Sequence, residues 1–241
     1  MGINKVVVIT GSTRGIGFGM ARSFLEQGCS VAISSSNKKN VIRVLRTLKS
    51  DFGDKVWGAV CAVEHHIDVQ ELWNMALAYF GHIDIWINNA GIKGNPCNCW
   101  EHHPDMIYDI INTNITGTLN GVNVAVSGML KQGGGQIFNM CGTGSNGEKL
   151  KGNGLYGSTK YAIKFITDTL VNELRDQPVL AGSLSPGALN TNIAAKNIYR
   201  TAQKRKAEEQ LPDKVEKVAP WLVQQVLNNN TNGASFSWAR S

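Results

Sequence analysis

KVVVITGSTRGIG, residues 5–17, joins an unbroken apolar run, mostly β-branched, to a turn with glycine at positions 11, 15 and 17. A half-exposed strand would alternate apolar with polar residues. This run does not alternate, so Lys5 to Thr10 reads as a strand buried on both faces, the kind found in parallel sheets. The helix after it is expected from about Ile16 to Gln27. Between them, Gly11, Ser12, Thr13, Arg14, Gly15, Ile16 and Gly17 are expected to cradle a pyrophosphate. Glycines let the backbone turn sharply and approach the phosphates. The helix start supplies free N–H groups and a partial positive charge. A glycine triplet alone is weak, and a plain tight turn is its ordinary meaning. Strand, turn and helix in this order make it a dinucleotide signature.

The same alternation continues along the chain. SVAISS (from Ser30), VWGAVC, IDIWIN (Ile83 to Asn88), GQIFNM and VLAGSLSP read as further strands, with a last short one in GASFSW. Helices are expected through VIRVLRTLKSDF, around VQELWNMALAYF, over about Pro104 to Leu130, and from Tyr156 to about Arg175. Strands alternating with helices imply an α/β fold: a doubly wound parallel sheet (Rossmann fold) in three α/β/α layers. No internal repeat or linker divides it, so residues 1–241 read as one domain. Beyond Ala188 the sequence turns polar and helical. The part around 190–210 leaves the carboxyl end of a strand, where ligands of such sheets bind, and is expected to cover the site as a substrate lid. A surface helix pair is the alternative.

The end of the second strand bears on the nucleotide. An NAD site usually carries a carboxylate there for the ribose hydroxyls. Here the residues are SSSNKK, Ser34 to Lys39, with no acid to repel a 2′-phosphate. Arg14, Ser35, Ser36 and Lys38 can all donate to one. NADP(H) is therefore expected in preference to NAD(H).

Bulk composition excludes several classes. The 241 residues carry a net charge of +6, but the densest basic cluster, Lys204 to Lys206, is followed at once by Glu208 and Glu209. That reads as a solvated helix face, so no nucleic-acid partner is expected. No apolar run reaches membrane-spanning length. MGINKVVVITG enters the first strand at once, which leaves no room for a signal or transit peptide, and Val6 stands where a myristoylation motif needs Ser or Thr. Five cysteines without scaffold spacing read as reduced thiols. A cytoplasmic location is expected, or the plastid stroma for a processed plant protein. CNCWEHH brings Cys97, Cys99, His102 and His103 close together, yet Cys-x-Cys is tighter than a structural zinc knuckle, and no metal site is assigned.

The chemistry is expected at YGSTK, Tyr156 to Lys160. A phenol titrates near 10, too high to exchange protons easily at neutral pH. A lysine four residues on shares its helical face and can stabilise the phenolate. The pair suits an enzyme that moves a proton on or off an oxygen.

Taken in order, TGSTRGIG, NNAG (Asn88 to Gly91), NITG (from Asn114), YGSTK and PGALNT (Pro186 to Thr191) resemble the short-chain dehydrogenase/reductase family over nearly the whole chain. The resemblance implies an NAD(P)-dependent oxidoreductase in which Tyr156 is the acid or base. Lys160 would also bind the nicotinamide ribose, and Asn114 would hold a water that relays protons to Lys160. Asn88, Ala90 and Gly91 would line the nucleotide, as would Pro186 and Gly187, with Thr191 at its phosphate or amide end. It also implies a homodimer or homotetramer through the two long helices.

Most of the family places a serine at the end of the fifth strand, about thirteen positions before the tyrosine. Counting back reaches Thr143, whereas running forward along the strand reaches Gly142. The donor is then Thr143, Ser145, or a backbone N–H or water. IDIWINNAG, GQIFNMCGTGSNG, YGSTK and DFGDKVWGAVC resemble the chlorophyll b reductase branch, which also carries glycine at that strand end. This implies reduction of the C7 formyl group of chlorophyll b or chlorophyllide b by NADPH. Other aldehydes, ketones, quinones or alcohols are the alternative, and a catalytically silent nucleotide-binding protein a weaker one. Ala62 stands where the family has an Asp that touches adenine.

Overall fold

The structure, a computed structural model, describes residues 4–187 and 214–238. The segment around 190–210 read as a lid, and Thr191 with it, lies outside the described residues. Seven parallel strands form one sheet in the order β3-β2-β1-β4-β5-β6-β7. They are β1 (Val6–Ile9), β2 (Ser30–Ser35), β3 (Val56–Val60), β4 (Ile85–Asn88), β5 (Gly135–Met140), β6 (Val179–Ser185) and β7 (Ala234–Ser237). The described helices are α1 (Gly15–Glu26), α2 (Lys38–Phe52), α3 (His66–Phe80), α4 (Pro104–Ile111), α5 (Gly117–Gln132), α6 (Gly154–Glu173) and α7 (Val215–Asn228). The expected doubly wound fold is the one observed.

The unbroken apolar run in β1 has a direct cause. Val7 and Ile9 face one core with Met20 and Phe24 of α1, Leu48 of α2 and Leu222 of α7. Val6 and Val8 face the other, with Leu72 of α3, Val124 of α5 and Leu170 of α6. Successive side chains point to opposite faces, and here both faces are covered.

β1 pairs with β2 on one side and β4 on the other, so the winding direction reverses between β1 and β4. A crevice opens at the carboxyl ends of strands at such a point. The two loops that border it are tied together. Thr10 Oγ accepts from the N–H groups of Asn89 (3.0 Å) and Ala90 (3.1 Å), and Asn89 Nδ2 donates to the carbonyls of Thr10 (2.8 Å) and Gly11 (3.1 Å).

The helix expected over about Pro104 to Leu130 is interrupted. A π turn, Asn112–Thr116, separates α4 from α5. Such turns cluster at functional sites because the extra residue redirects a side chain. Here Asn114 is fully buried. Hydropathy alone could not show the interruption, since a π turn leaves the apolar face nearly continuous.

Candidate active site

The crevice is lined by Gly11, Thr13, Arg14, Gly15, Ile16 and Gly17 of the first turn, Ser35 and Ser36 after β2, and Ala90 and Gly91 after β4. Its glycines are structurally required. Gly11 has φ +62°, and a Cβ there would stand 2.7 Å from Ala90 Cα. At Gly17 a Cβ would stand 2.9 Å from the Gly11 carbonyl oxygen. α1 begins with no acidic residue in its first turn, and Arg14 at its N-cap makes no capping hydrogen bond with its side chain. Its first N–H groups therefore remain available to an anion. This cradle fits a dinucleotide pyrophosphate.

Other expected residues contribute differently. Ser12 is fully buried, and its hydroxyl donates to Ile9 O (2.7 Å) and accepts from Ser34 N (3.0 Å), so the side chain braces the turn. Lys38 starts α2, outside the crevice lining, with Asn37 as the cap that accepts from Asn40 N. The Asn88 side chain, expected against the nucleotide, faces the core. Trp86 Nε1 donates to its Oδ1 (2.7 Å), and its Nδ2 donates to Asn139 Oδ1 (2.9 Å). In β4, neighbouring side chains face opposite ways, and the next residue, Asn89, is the one in the crevice. Val63, Glu64, Ile92 and Thr113 also line it, and no motif in the sequence marks them. For Val63, Glu64 and Ile92 the available signal is positional, since loops following parallel strands all open on that edge of the sheet, whereas Thr113 comes from the π turn. At Ala62 no side chain reaches out, and its N–H donates to Asp68 Oδ2 (3.0 Å). Pro186 and Gly187 follow β6, where Gly187 takes φ +70° beside the carbonyl of Trp238.

Beyond Gly91 the crevice meets α6. A Cβ on Gly91 would lie 3.3 Å from Asn114 Oδ1 and 3.7 Å from Lys160 Nζ. Lys160 is buried, donates to Met140 O at 2.9 Å, and stands 5.6 Å from the Tyr156 ring centroid. The Asn114 side chain bridges two elements: Oδ1 accepts from Ile92 N (2.9 Å), and Nδ2 donates to Ile92 O (3.0 Å) and Thr159 Oγ (3.0 Å). The π turn thus clamps the loop after β4 to the helix that carries Tyr156 and Lys160.

Gly142 resolves the two counts from the sequence. A Cβ on it would lie 3.3 Å from the Tyr156 hydroxyl. Position 142 is therefore the place beside the phenol, and it carries no side chain. Thr143 and Ser145 are half-buried in the turn that follows, where Ser145 N donates to Gly142 O (3.0 Å). Among the described residues, no side-chain hydroxyl hydrogen-bonds to the phenol.

The electrostatics are set first by burial. Desolvation pushes the Tyr156 phenol up to about 12, and a charge on Cys141 would act in the same sense. Burial lowers the Lys160 ammonium to about 8. The Cys141 thiol is itself pushed up by burial, so it stays neutral near pH 7 and its field on either neighbour is small. The sequence led us to expect that the lysine would lower the phenol's titration. Desolvation sets the phenol's titration instead, and it acts in the opposite direction.

The Cys97–His103 cluster is split by its loop. Cys97 Sγ meets His102 Nδ1 (3.3 Å), Cys99 is exposed, and His103 caps α4 by accepting from Asp105 N (3.3 Å). Among the described residues, no three His, Cys, Asp or Glu side chains converge on a metal position. Nor is any described helix long and apolar enough to cross a membrane.

A glycine cradle at the switch point, ending on a half-buried tyrosine beside a buried lysine, is a nucleotide-dependent redox site in outline. The model of the short chain dehydrogenase family matches residues 5–201. The chain belongs to that family. It is a short-chain oxidoreductase, 35% identical over 230 residues to the chlorophyll(ide) b reductase NOL of Arabidopsis thaliana. That match covers 91% of this chain but only 64% of the plant protein. It is also 32% identical to a 3alpha-hydroxysteroid dehydrogenase of Mediterraneibacter gnavus, over 80% of this chain and 76% of that one. Among solved structures, the NADP-bound form of ElxO superposes with TM-score 0.85 at 27% identity, covering 98% of this chain and 97% of that chain. A short-chain oxidoreductase from Burkholderia phymatum with NAD bound has TM-score 0.76 at 27% identity, covering 95% of this chain and 81% of that one.

Proposed function

We propose that this short-chain oxidoreductase is an NADPH-dependent carbonyl reductase whose first substrate to test is the C7 formyl group of chlorophyll b or chlorophyllide b. The observation that carries the reductase reading is the junction of Gly91, Lys160, Tyr156 and Gly142, where the crevice ends on a half-buried phenol beside a buried lysine. Bound NADPH would supply the hydride. Tyr156 gives its proton to the carbonyl oxygen, and Lys160 restores the charge balance beside it. Asn114 keeps Ile92 and Thr159 in place, so the wall of the crevice stays fixed against Tyr156. Lys160 and Asn114 are both buried in this corner.

Arg14, Ser35 and Ser36 at the crevice supply donors for a 2′-phosphate, which supports NADPH over NADH. The pigment assignment is supported by the likeness to the plant reductase and by Trp100, 83% exposed in the loop after β4. A bare indole is a surface on which a flat aromatic substrate stacks. The partner is therefore a small-molecule carbonyl compound, and a second copy of the chain is a further one. Tyr108 (72% exposed), Tyr161 (58%) and Phe165 (70%) leave an apolar face on α4 and α6 that a two-fold mate would cover. A cytoplasmic or stromal location would suit the NADPH requirement.

Anaerobic incubation with chlorophyllide b and either NADPH or NADH, followed by absorption spectroscopy, tests the reading. Formation of the 7-hydroxymethyl pigment with NADPH, and its loss in Tyr156→Phe, is expected. Equal NADPH oxidation by wild type and Tyr156→Phe with every carbonyl offered would sink it. Turnover of a 3-ketosteroid in place of the pigment would keep the reductase and replace the substrate.

A further inference from the structure

Lys93, two residues past the NNAG motif, holds its ammonium 5.3 Å from the centroid of the Tyr156 ring. It is the second cation on that ring, after Lys160. The two differ in one respect. Lys160 is anchored on the Met140 carbonyl, whereas no described carboxylate or carbonyl is bonded to Lys93. Lys93 is half-buried, and burial alone lowers its titration, with no acidic neighbour acting on it. A partly desolvated cation without a counter-charge is unfavourable in the free protein. It becomes favourable once negative charge arrives next to it, and such groups gather at functional sites.

The place where negative charge would arrive is close by. As a carbonyl is reduced beside Tyr156, charge builds on its oxygen before the phenol's proton is transferred. Position 142 offers no hydroxyl to meet that oxygen, because it is glycine. We propose that Lys93, over the Tyr156 ring, supplies the missing positive charge for the substrate oxygen in place of a strand-end hydroxyl. It moves no proton and forms no bond, acting as a fixed positive charge for the transition state. The loop after β4 can hold it there because Ile92 is pinned on both backbone groups by Asn114, one residue before Lys93. The same charge would favour substrates that carry an anionic oxygen next to the carbonyl.

This inference rests on the reductase reading, so its test needs one arm with turnover and one without. In the first, wild type, Lys93→Met, Lys93→Arg and Lys93→Met/Gly142→Ser are compared with 4-nitrobenzaldehyde, chlorophyllide b and NADPH. Losing one such contact costs roughly a hundredfold in kcat. We expect that loss in Lys93→Met with NADPH affinity kept, a smaller loss in Lys93→Arg, and at least about tenfold recovery when Gly142→Ser restores a hydroxyl. Recovery separates a lost contact from a damaged fold, since a merely structural lysine would not be replaced by a serine elsewhere. In the second arm, 4-nitrobenzoate, the carboxylate counterpart of the aldehyde, is titrated into the NADP-bound protein. Binding about tenfold weaker in Lys93→Met than in wild type is expected, corresponding to one lost charge-assisted contact.

Unchanged kcat and unchanged 4-nitrobenzoate affinity in Lys93→Met overturn the proposal. So does a kcat loss that Gly142→Ser leaves in place, or a wild type that does not bind the carboxylate. Absence of turnover in wild type, with the affinity difference present, would remove the reductase reading and keep Lys93 as an anion contact.

Discussion

Two turns at the carboxyl ends of parallel strands carry this site, and they are built differently. The first, residues 10–14, passes directly from β1 into α1 and is closed by its own hydrogen bonds. Thr10 and Asn89 lock it to the neighbouring loop, and Ser12 locks it to Ile9 and Ser34. The second, residues 141–153, is a long loop between β5 and α6. Few side-chain bonds hold it, and Asn153 at its end has both amide atoms buried without a partner. A short closed turn allows no shift of register, so its residues have fixed meanings. A long open loop can gain a residue without cost to the sheet, and the chemistry it carries moves with it.

The sharpest way to break the contrast is to damage the first turn. In Gly17→Val a side chain would be forced against the Gly11 carbonyl and Ser12 Cα, both backbone atoms that cannot move aside. We expect NADPH affinity to fall more than about a hundredfold and stability to fall by about 1–3 kcal/mol. Fluorescence titration and thermal melts read the two effects. A well-folded variant that binds NADPH normally would mean that this turn is as adaptable as the second.

A second prediction concerns pH and belongs to the catalytic corner. Lys160 is charged below about 8 in the folded protein, and Tyr156 keeps its proton up to about 12. Reduction needs both protonated, so kcat/KM for the carbonyl should stay level at lower pH and fall as pH rises through about 8. The stability of the nucleotide-free protein moves the other way. The Lys160 pKa lies below its unfolded value of 10.5, so the unfolded chain binds more protons between about 8 and 10.5, and stability rises with pH across that window. Above 10 the raised Tyr156 opposes this, because its unfolded form ionises first. Chemical denaturation at pH 7, 9 and 11, with Lys160→Met as reference, measures the sign. Stability that falls between pH 7 and 9 by way of Lys160 would refute the burial argument.

Arg14 provides a smaller effect at the first turn. Replacing it by alanine removes one charge-assisted contact, and NADPH affinity should weaken about tenfold or more while NADH affinity barely changes. Equal losses for both nucleotides would place Arg14 on the pyrophosphate instead of the 2′-phosphate.

The smallest effects are expected in the second turn. If neither hydroxyl faces the phenol, Thr143→Ala and Ser145→Ala should each change kcat by less than about threefold, far below the hundredfold cost of a lost oxyanion donor. A large loss at one of them would show that the loop refolds when substrate binds and that this hydroxyl, in place of Lys93, meets the substrate oxygen.

The sequence by itself determined the strands, the winding and the first turn. β1 could be read from its unbroken apolar run because a strand buried on both faces has no polar side to display. Gly11 and Gly17 could be read because a tight turn from a buried strand straight into a helix calls for glycine at such positions. Tyr156 and Lys160 could be paired because a helix brings residues four apart onto one face. These are local rules, and each needs only neighbours in the chain.

Tertiary structure alone decided the rest. It set Gly142, and neither Thr143 nor Ser145, against the phenol, since the distance from β5 to α6 depends on how a thirteen-residue loop (141–153) closes. It turned Asn88 into the core and Asn89 into the crevice, a matter of strand register. It placed a π turn at Asn114 and brought Lys93 over Tyr156 across 63 positions of chain (156 − 93), a contact that no spacing in the sequence encodes. Burial then reversed the expected shift of the Tyr156 phenol, because desolvation depends on every element packed around a group and the sequence names only those beside it.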